Sequence, residues 1–501
     1  MKRWLSKAAL VTLLAVGSSL TFYQSSEAKN TSAYLIVFRN SQIPAEIIHL
    51  LNERYPHLKT TVVQEIGTIK FEETADGEAD KVMEEIKRQY AGSIEQTGPE
   101  QRMMLPKPPD DTKVSPDQYM RKEMAFQDNS ISQLSGTNLQ RAEFYQQFGW
   151  DIKKITGDGQ SFFKEKGSHR VRIAVIDSGI DFNHPDLKAN IVSKGRSFIP
   201  QVDNTEDHLG HGTMAAGTIA ANGKLLGVGP ELGIIPYKVM ENWEDGAEST
   251  WVTQAIIQAT KDGADVINVS LGTYKSLRNR EDRAVVEAYR RAVQFAFSRG
   301  AIVVASAGNE GLDLSNPKEV AEKRGFPGDA QMHFPGGGVP NVISVSATNK
   351  ADQLAFYSNY GEPITLTAPG GDYGPDYLTR KMIDPRYMVL TLYPTNLELP
   401  ILNTILGIPN GYTLSAGTSL AVPKVTGAVG VLIAHQQAIG KGRLNLRMIN
   451  KLLKGSAIDL GVKGSDPTFG YGLVDVNKAL DLLDSHKLDD ENQRHGKDQE
   501  K

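Results

Sequence analysis

Three short glycine-rich segments, far apart in the chain, each carry one reactive side chain. Asp177 ends an apolar run and is followed by Ser-Gly, His211 stands in Gly-His-Gly-Thr, and Ser419 stands in Gly-Thr-Ser-Leu-Ala. An acid, an imidazole and a hydroxyl together make an activated serine nucleophile, because the base removes the hydroxyl proton during attack. Their order along the chain, acid then imidazole then hydroxyl, restricts the folds that can assemble them.

That order separates the known families of serine hydrolases. Chymotrypsin has the order His, Asp, Ser and the α/β-hydrolases have Ser, Asp, His, whereas subtilisin has Asp, His, Ser. The strings Gly-His-Gly-Thr-Met-Ala-Ala-Gly around His211 and Gly-Thr-Ser-Leu-Ala-Val-Pro around Ser419 match the same family. The chain therefore resembles the subtilisin-like serine proteases (subtilases), with Met214 at a position where many members carry a histidine.

The resemblance implies a role for each catalytic residue. Ser419 is the nucleophile, His211 is the general base and then the general acid, and Asp177 orients the imidazole and stabilises its charged form. Asn309, in Ser-Ala-Gly-Asn-Glu-Gly, matches the residue whose side-chain amide donates to the oxyanion. A serine before an apolar run can be only a helix cap, and a Gly-Asn pair can be only an ordinary turn. The roles of Ser419 and Asn309 therefore depend on all of the motifs matching the family together.

A second group of residues resembles the substrate-binding segments of the family. Ser270-Leu271-Gly272 follows a predicted strand at 265–269 and would pair with an extended peptide through main-chain hydrogen bonds. Gly272 carries no side chain that would block the bottom of the specificity pocket. Glu310 adjoins Asn309, and more acidic residues follow the predicted strand at 233–239, namely Glu241, Glu244, Asp245 and Glu248. This charge predicts a basic substrate residue before the scissile bond, with an ordinary solvated acidic loop as the alternative.

Composition describes a globular protein of more than one domain. The chain has 501 residues, which suits two to three domains, with 40% hydrophobic and 23% charged residues. Its formal net charge of −4 gives no reason to expect nucleic acid or an anionic membrane as a partner. The chain has no cysteine, which excludes disulfides, thiolate zinc sites and a cysteine nucleophile.

The first 28 residues predict export. Lys2, Arg3 and Lys7 precede an apolar run at 8–16, and Ser26-Glu27-Ala28 has the small residues that signal peptidase requires. The alternative, a retained membrane anchor, needs a longer apolar run. We expect a secreted protein without a membrane anchor once the signal peptide at 1–28 is removed.

The rest of the chain divides into four predicted parts. Residues 29–98 alternate as β-α-β-β-α, the order of a small ferredoxin-like α+β domain. This part resembles the subtilase propeptide, an intramolecular chaperone and inhibitor, although an unrelated α+β module would show the same pattern. Residues 99–135 are rich in proline and predict a solvated linker that contains the maturation cleavage. The catalytic domain is predicted at 136–483 and a disordered polar tail at 484–501.

The predicted catalytic domain has the pattern of an α/β fold. Near-continuous apolar runs alternate with helical stretches, which is typical of a doubly wound parallel sheet with helices on both faces. Ligands of such sheets bind beyond the carboxyl ends of the strands. Asp177 and Asn309 each come directly after a predicted strand, so both are expected at this edge.

No cofactor is expected for the chemistry, and no metal ligand is assigned. Asp186 matches a calcium ligand of the family, but one carboxylate does not make a site of roughly six to eight oxygens. The stretch between His211 and Gly227 is shorter than in common subtilisins, where this region forms a calcium loop, and this shortening argues against a structural calcium ion without excluding it. Two insertions, at 311–334 and 375–410, are expected to narrow access to the binding edge.

These features predict a secreted serine endopeptidase made as a zymogen. The pro-region, the absence of cysteine, the shortened loop and the insertions resemble the subtilases that process lanthipeptide (lantibiotic) leader peptides. The expected substrate is the leader of an exported lanthipeptide precursor, and the expected inhibitor is the protein's own propeptide. The alternatives are a broad-specificity extracellular protease and a non-catalytic binding protein on the same scaffold. The intact catalytic-type residues argue against the second.

Overall fold

The computed structural model describes residues 33–73, 78–103, 113–114 and 142–485. The predicted signal peptide, most of the predicted linker and all but two residues of the predicted tail lie outside these described residues. Within them the chain forms a small N-terminal unit and a large α/β domain.

The N-terminal unit is a four-stranded antiparallel sheet with two helices. Its elements are β1 (Ala33–Phe38), α1 (Ala45–Arg54), β2 (Lys59–Val63), β3 (Thr68–Glu72), α2 (Glu78–Tyr90) and β4 (Ile94–Pro99). The strand order β2-β3-β1-β4 is that of a ferredoxin-like fold. Apolar side chains from the sheet and both helices form its core, among them Ile36, Ile47, Phe71, Val82 and Ile86.

The sequence predicted five of these six elements and missed β4. Residues 94–99 are mostly polar, so this strand is specified by its pairing with β1 rather than by its own apolar pattern. The chain continues as β5 (Arg102–Met103), which pairs with β10 (Ala247–Glu248) of the large domain. Met103 is buried, so the expectation of solvated chain from residue 99 is wrong for the segment that leads to it.

The large domain is built on a seven-stranded sheet. The strands are β7 (Arg172–Asp177), β8 (Arg196–Ser197), β9 (Gly233–Lys238), β11 (Val266–Val269), β13 (Ile302–Ser306), β15 (Val342–Thr348) and β16 (Leu366–Pro369). Their order is β16-β15-β13-β11-β7-β9-β8, and every neighbouring pair is parallel. The parallel sheet that the sequence predicted is confirmed.

Helices cover both faces of this sheet. The helices of the large domain are α3 (Glu143–Phe148), α4 (Trp150–Thr156), α5 (Ser161–Lys164), α6 (His211–Ala220), α7 (Ser249–Lys261), α8 (Arg283–Ser298), α9 (Pro317–Lys323), α10 (Tyr377–Arg380), α11 (Ile401–Leu406), α12 (Thr418–Ala438), α13 (Leu446–Ser456) and α14 (Val476–Asp484). Ile173 and Val175 of β7 pack with α6 and α12, whereas Ala174 and Ile176 pack with α7 and α8. Since alternate side chains of a strand point to opposite faces, the sheet is doubly wound.

The long helix α12 passes through the core of the large domain. It has the length and apolar character of a membrane-crossing helix, but 94% of its most apolar window is buried inside the protein. The apolar side chains of α12 therefore serve the packing of the sheet.

The two insertions form ordered structure beside the sheet. Residues 311–334 contain α9 and β14 (Gln331–Phe334), which pairs with β12 (Thr273–Ser276). Residues 375–410 contain α10, α11, β17 (Met382–Ile383) and β18 (Val389–Leu392). The strand β18 pairs with β19 (Tyr412–Ser415), and β17 pairs with β6 (Lys113–Val114). Short 3-10 turns lie at Arg39–Ser41, Gln64–Ile66, Lys188–Asn190 and Pro385–Tyr387.

Candidate active site

Asp177 and His211 form a buried hydrogen-bonded pair at the carboxyl edge of the sheet. Asp177 is the last residue of β7, and His211 is the first residue of α6. The Nδ1 atom of His211 lies 2.8 Å from Asp177 Oδ1 and 2.9 Å from Oδ2, and the Ser178 backbone N–H donates to Oδ1 at 2.8 Å. A carboxylate in this place holds the proton on Nδ1 and leaves Nε2 to accept a proton.

Burial and charge act on the His211 imidazole in opposite directions. Burial disfavours the charged ring and lowers its pKa, whereas the charge and hydrogen bond of Asp177 and the charge of Asp207 raise it. The carboxylates prevail, so the pKa of His211 lies above its ordinary value of 6.5. The ring is thereby suited to proton transfer near neutral pH.

Asp207, which was not predicted from the sequence, holds the turn before the imidazole. Its Oδ1 accepts hydrogen bonds from the backbone N–H groups of Leu209 at 3.0 Å and Gly210 at 2.8 Å. The same oxygen accepts from the Ser178 hydroxyl at 2.8 Å, which ties this turn to the turn after β7. An aspartate that binds N–H groups two and three residues later is an Asx turn, and that spacing was the signal available in the sequence.

Ser419 lies in the first turn of α12, which packs against α6. This packing places Ser419 and His211 on the same edge of the sheet. The Ser419 hydroxyl donates to the Ser270 carbonyl oxygen at 3.4 Å, a long and weak hydrogen bond. Hydrogen bonds of catalytic groups are commonly long before substrate binds, and a serine hydroxyl changes partner by rotation about one bond.

Ser270 also supports the start of the nucleophile helix. Pro423 has no N–H, so the Ser419 carbonyl four residues earlier lacks its helical donor. The Ser270 hydroxyl donates to that carbonyl at 3.2 Å and accepts from Asn268 Nδ2 at 2.9 Å. Asn268 Oδ1 in turn accepts from Thr426 of α12 at 2.9 Å. Ser270, predicted as a substrate-binding residue, therefore also contacts the nucleophile helix, which the sequence did not indicate.

Asn309 follows β13 and faces the start of α12. Its Oδ1 accepts from the Thr418 backbone N–H at 2.9 Å and from the Thr418 hydroxyl at 2.7 Å. Because a backbone N–H can only donate, the oxygen of the amide must face Thr418, which leaves Nδ2 to donate elsewhere. Nδ2 lies 3.8 Å from the position that a Cβ on Gly417 would take. The Nδ2 group and the backbone N–H of Ser419 are then two donors next to the serine hydroxyl.

The space at Gly272 is filled by another residue. A Cβ on Gly272 would lie 2.1 Å from Cε1 of His333, which comes from β14 in the first insertion. Leu271 is buried in the apolar cluster that includes α7 and α8. A side chain at position 272 would therefore clash with the His333 ring, and the expected role of Gly272 in substrate binding stays a prediction.

Glu310 accepts hydrogen bonds from two side chains, one in β12 and one between β15 and β16. Its Oε2 accepts hydrogen bonds from the Tyr274 hydroxyl and, at 3.2 Å, from Asn359 Nδ2. The Arg324 guanidinium lies over the Tyr274 ring, 4.0 Å from its centroid. The acid beside Asn309 is therefore satisfied and has a cation close by.

Two acidic residues after β9 are paired with the N-terminal unit and with β5, which follows it. Glu248 forms ion pairs with Lys70 and, at 3.4 Å, with Arg102. Asp245 lies 3.5 Å from Arg102, whose guanidinium also lies over the Trp251 ring. These two carboxylates are compensated by cations that precede the large domain in the chain.

A third acid of this loop is paired within the large domain. Glu241 forms an ion pair with Lys238 at 2.7 Å and a hydrogen bond with His208 at 2.6 Å. Glu241 and Glu310 are therefore engaged within the large domain, whereas the partners of Glu248 and Asp245 belong to the chain before it. The expectation of a basic substrate residue stays a prediction.

Asp186, the candidate calcium ligand, is used within the protein. Its Oδ2 accepts hydrogen bonds from the Leu225 backbone N–H and from the Tyr412 hydroxyl, both at 2.9 Å. Among the described residues no group of three or more His, Cys, Asp or Glu side chains could hold a metal ion. The donors around Asp186 therefore fit a hydrogen-bonded carboxylate rather than a calcium ligand.

The insertion at 375–410 borders the site on the side of His211. Gly210 has a φ of +96°, and a Cβ there would lie 2.5 Å from the Tyr393 ring. The Thr391 hydroxyl of β18 donates to the Met214 carbonyl of α6 at 3.0 Å. The insertion is thus packed on the helix that carries the imidazole and forms a wall of the site.

The fold and the site together define a class of protein. A doubly wound sheet carries a hydrogen-bonded acid–imidazole pair at its carboxyl edge, and a serine at the start of a helix lies on the same edge. The model of the Subtilase family matches residues 168–472, so the chain belongs to that family and is a serine endopeptidase. Members of this family need no cofactor for catalysis.

Two relatives are proteases of leader peptides. The epidermin leader peptide-processing serine protease EpiP of Staphylococcus epidermidis is 32% identical over 356 residues, which cover 66% of this chain and 73% of EpiP. The nisin leader peptide-processing serine protease NisP of Lactococcus lactis subsp. lactis is 29% identical over 68% of this chain and 52% of its own length.

Solved structures show the same similarity. A lanthipeptide protease is 34% identical with a TM-score of 0.61, over 69% of this chain and 96% of that chain. EpiP from Staphylococcus aureus has a TM-score of 0.68 over 91% of this chain and 99% of that chain. At 24% identity, this second likeness shows the fold alone.

Proposed function

We propose that this protein is a secreted serine endopeptidase, made as a zymogen, that removes the leader peptide from an exported lanthipeptide precursor. The observation that carries the proposal is the buried Asp177–His211 pair on the same sheet edge as Ser419. The substrate class follows from the names of the EpiP and NisP relatives, and export follows from the signal-peptide pattern at 1–28.

The proposed chemistry begins with attack by Ser419. Its Oγ bonds to the scissile carbonyl carbon while His211 Nε2 takes the hydroxyl proton, and Asp177 stabilises the imidazolium. Asn309 Nδ2 and the Ser419 N–H hold the negative oxygen of the tetrahedral intermediate, where one such donor contributes about 3 kcal/mol. The imidazolium then protonates the leaving amine as the C–N bond breaks. Water hydrolyses the acyl-enzyme by the same steps in reverse.

The N-terminal unit is proposed as the inhibitor of the zymogen. The strand β5, which follows the unit in the chain, adds to β10 by antiparallel pairing, which is how an extended peptide binds at a sheet edge. Met103 is buried in one apolar cluster with Trp251, Leu271 and Tyr289 of the large domain. Since Leu271 belongs to the proposed substrate-binding segment, the unit occupies surface that a substrate would use.

The test of function uses the wild-type chain, Ser419→Ala and Ser298→Ala. Ser298 lies at the exposed end of α8, so its variant is a matched serine-to-alanine control. Each protein is incubated with a lanthipeptide precursor and, separately, with a denatured unrelated protein, and the products are identified by mass spectrometry. We expect the wild type and Ser298→Ala to cut the precursor at the leader junction, and Ser419→Ala to cut neither substrate.

Each alternative predicts a different product pattern. Cleavage of the unrelated protein at many sites, at a rate similar to that of the precursor, would identify a broad-specificity extracellular protease. Binding of peptide without cleavage by the wild type would identify a non-catalytic binding protein.

Ser419→Ala secreted by a host cell is expected to begin after residue 28 and to keep residues 33–103. The reason is that the proposed zymogen removes these residues by its own activity, which the variant lacks.

A further inference from the structure

A cavity of about 360 Å³ lies at the amino edge of the parallel sheet, opposite the edge that carries the catalytic groups. It opens where β11 begins, beside Ala264 and Asp265, and where α7, α8 and α12 end. Ser419 lies in the first turn of α12, whereas Ile433 and Gln436, which line the cavity, lie in its last two turns. At about 1.5 Å per residue, the helix separates Gln436 from Ser419 by about 25 Å. The cavity is therefore separate from the candidate active site.

Cations outnumber carboxylates around this cavity. Arg299, Lys441 and Arg443 line it. Asp265 is the one acidic residue among the described residues that line it. The carboxylate of Asp265 accepts hydrogen bonds from the Arg172 backbone N–H at 3.0 Å and from the Arg443 guanidinium at 3.3 Å. The excess of positive charge favours an anionic ligand.

The turn after α8 holds the Arg443 guanidinium at the cavity. This guanidinium donates to the Arg299 carbonyl oxygen at 3.4 Å, and a Cβ on Gly300 would lie 3.3 Å from its Cζ atom. Its hydrogen bonds to that carbonyl and to Asp265 are both long, and its side chain is 53% exposed. A guanidinium has five N–H donors in a fixed plane, so Arg443 has donors for a further oxyanion.

Gln436 brings a buried amide to the cavity. This residue is 5% exposed, and its Oε1 has no hydrogen-bond partner among the described residues. A buried carbonyl oxygen without a donor costs free energy, so such an atom normally binds a donor from the protein, from water or from a ligand. Three other lining residues, Ala264, Ile433 and Leu444, are buried and apolar. A ligand that fits these walls carries an oxyanion, an N–H donor and an apolar group.

We propose that this cavity binds the carboxyl end of a short peptide. The terminal carboxylate accepts hydrogen bonds from Arg443, a peptide N–H donates to Gln436, and an apolar side chain packs on Ile433 and Leu444. The volume of about 360 Å³ is at the small end of ligand sites and suits about two or three residues. Inorganic phosphate shares the negative charge but has neither the N–H donors nor the apolar group. This site goes beyond the proposed function, because binding here requires no peptide cleavage.

The experiment measures binding to the full-length Ser419→Ala protein by isothermal titration calorimetry. The probes are the tripeptide Ala-Leu-Ala with a free carboxylate, the same tripeptide with a carboxyl-terminal amide, and inorganic phosphate. The free acid is expected to bind with a Kd of about 1 mM or tighter, as a ligand of this size allows. The amide and phosphate are expected to bind about tenfold or more weakly, because each lacks part of the recognised chemistry.

Two variants with matched controls test whether the peptide binds in this cavity. Gly442→Glu adds a carboxylate to the wall, where a Cβ would have no atom within 4 Å. Its control is Gly92→Glu in the N-terminal unit, where a Cβ is equally unobstructed. Arg443→Gln removes the guanidinium, and Arg447→Gln, on the exposed side of α13, is its control. Both cavity variants are expected to weaken binding of the free acid by about tenfold or more, and both controls to leave it unchanged.

The inference is overturned if the free acid does not bind, or if it binds both cavity variants as it binds the parent. Equally tight binding of the amide or of phosphate would also contradict it, because the site would then not recognise a peptide carboxylate. Thermal unfolding checks the fold of each variant, and if Gly442→Glu does not fold, Arg443→Gln decides. Failure of the proposed function looks different: the wild type would cut no peptide, while binding to Ser419→Ala would be unaffected.

Discussion

The charge of Asp177 sets how His211 responds to pH. Burial alone would make the imidazole harder to protonate, but the carboxylate at hydrogen-bond distance outweighs burial and raises the pKa above 6.5. The proposed attack by Ser419 requires a neutral ring, so we expect activity to be lost as the pH falls through the raised pKa and to be present above it.

Asp177→Asn is therefore expected to change both the rate and its pH dependence. Without the carboxylate charge the pKa of His211 falls, and the acid limb of the kcat/KM profile shifts to lower pH. The wrong tautomer lowers kcat by about 10⁴-fold. A pH series with a peptide substrate measures both effects.

The control for that series is Asp181→Asn. Asp181 is also buried after β7, but its carboxylate accepts hydrogen bonds from Thr395. Its amide variant should keep the acid limb of the wild type. An unshifted acid limb in Asp177→Asn would show that Asp177 does not control the imidazole.

Individual residues differ in how far the sequence predicts their contacts. Asp177 ends one strand and Asn309 follows another, and a parallel sheet brings all carboxyl ends to one edge, so their location was predictable. The Asx turn of Asp207 was local and could have been found from its spacing. The contact of Ser270 with the Ser419 carbonyl depends on two elements 149 residues apart, and only packing creates it.

At the scale of elements, the nucleophile helix is tied to the start of the large domain by a buried ion pair. Lys424 of α12 is fully buried, and its Nζ lies 2.7 Å from Asp151 Oδ2 of α4 and 3.1 Å from the Leu420 carbonyl. Leu420 directly follows Ser419, so this lysine anchors the helix one turn beyond the nucleophile. The sequence did not predict this pair, because neither residue lies in an unusual local pattern.

Asp151→Ala is expected to destabilise the domain strongly, because it leaves the Lys424 charge buried without a partner. Loss of one member of a buried pair costs about 3–5 kcal/mol in free energy of unfolding. Denaturant unfolding in the Ser419→Ala background, which prevents self-digestion, measures it. The double variant Asp151→Leu with Lys424→Met removes both charges and should recover most of the loss. Equal stability of Asp151→Ala and its parent would show that the pair contributes nothing.

At the scale of the whole molecule, the N-terminal unit is held on the large domain by α8. Arg291 of this helix donates to the carbonyl oxygens of Phe38 at 2.8 Å and Ile66 at 2.7 Å, and it forms an ion pair with Glu95 at 2.8 Å. The side chain is only 10% exposed, so these charge-assisted hydrogen bonds are shielded from water. One residue thus joins three segments of the proposed inhibitor.

Arg291→Ala is expected to release the N-terminal unit faster after the maturation cleavage. Hydrogen bonds to a charged group contribute about 1.5–3 kcal/mol each, so the lag before peptidase activity appears should shorten about tenfold or more. A continuous peptidase assay from the time of refolding measures this lag. Arg290→Ala is the matched control, since Arg290 is half exposed and pairs with Glu287 of its own helix. An equal lag in both variants would contradict the role of Arg291.

The sequence by itself determined the family, the parallel sheet, the edge at which the catalytic groups lie and most elements of both domains. These features arise from local patterns, namely apolar runs, glycine turns and the chain order of three motifs, and each pattern acts over a few residues. The tertiary structure alone decided which charges are paired and which side chain lies beside Gly272. Glu248 is compensated by Lys70, 178 residues earlier, and His333 reaches Gly272 through the pairing of β14 with β12. Contacts of this kind depend on how folded segments pack, and no spacing along the chain encodes them.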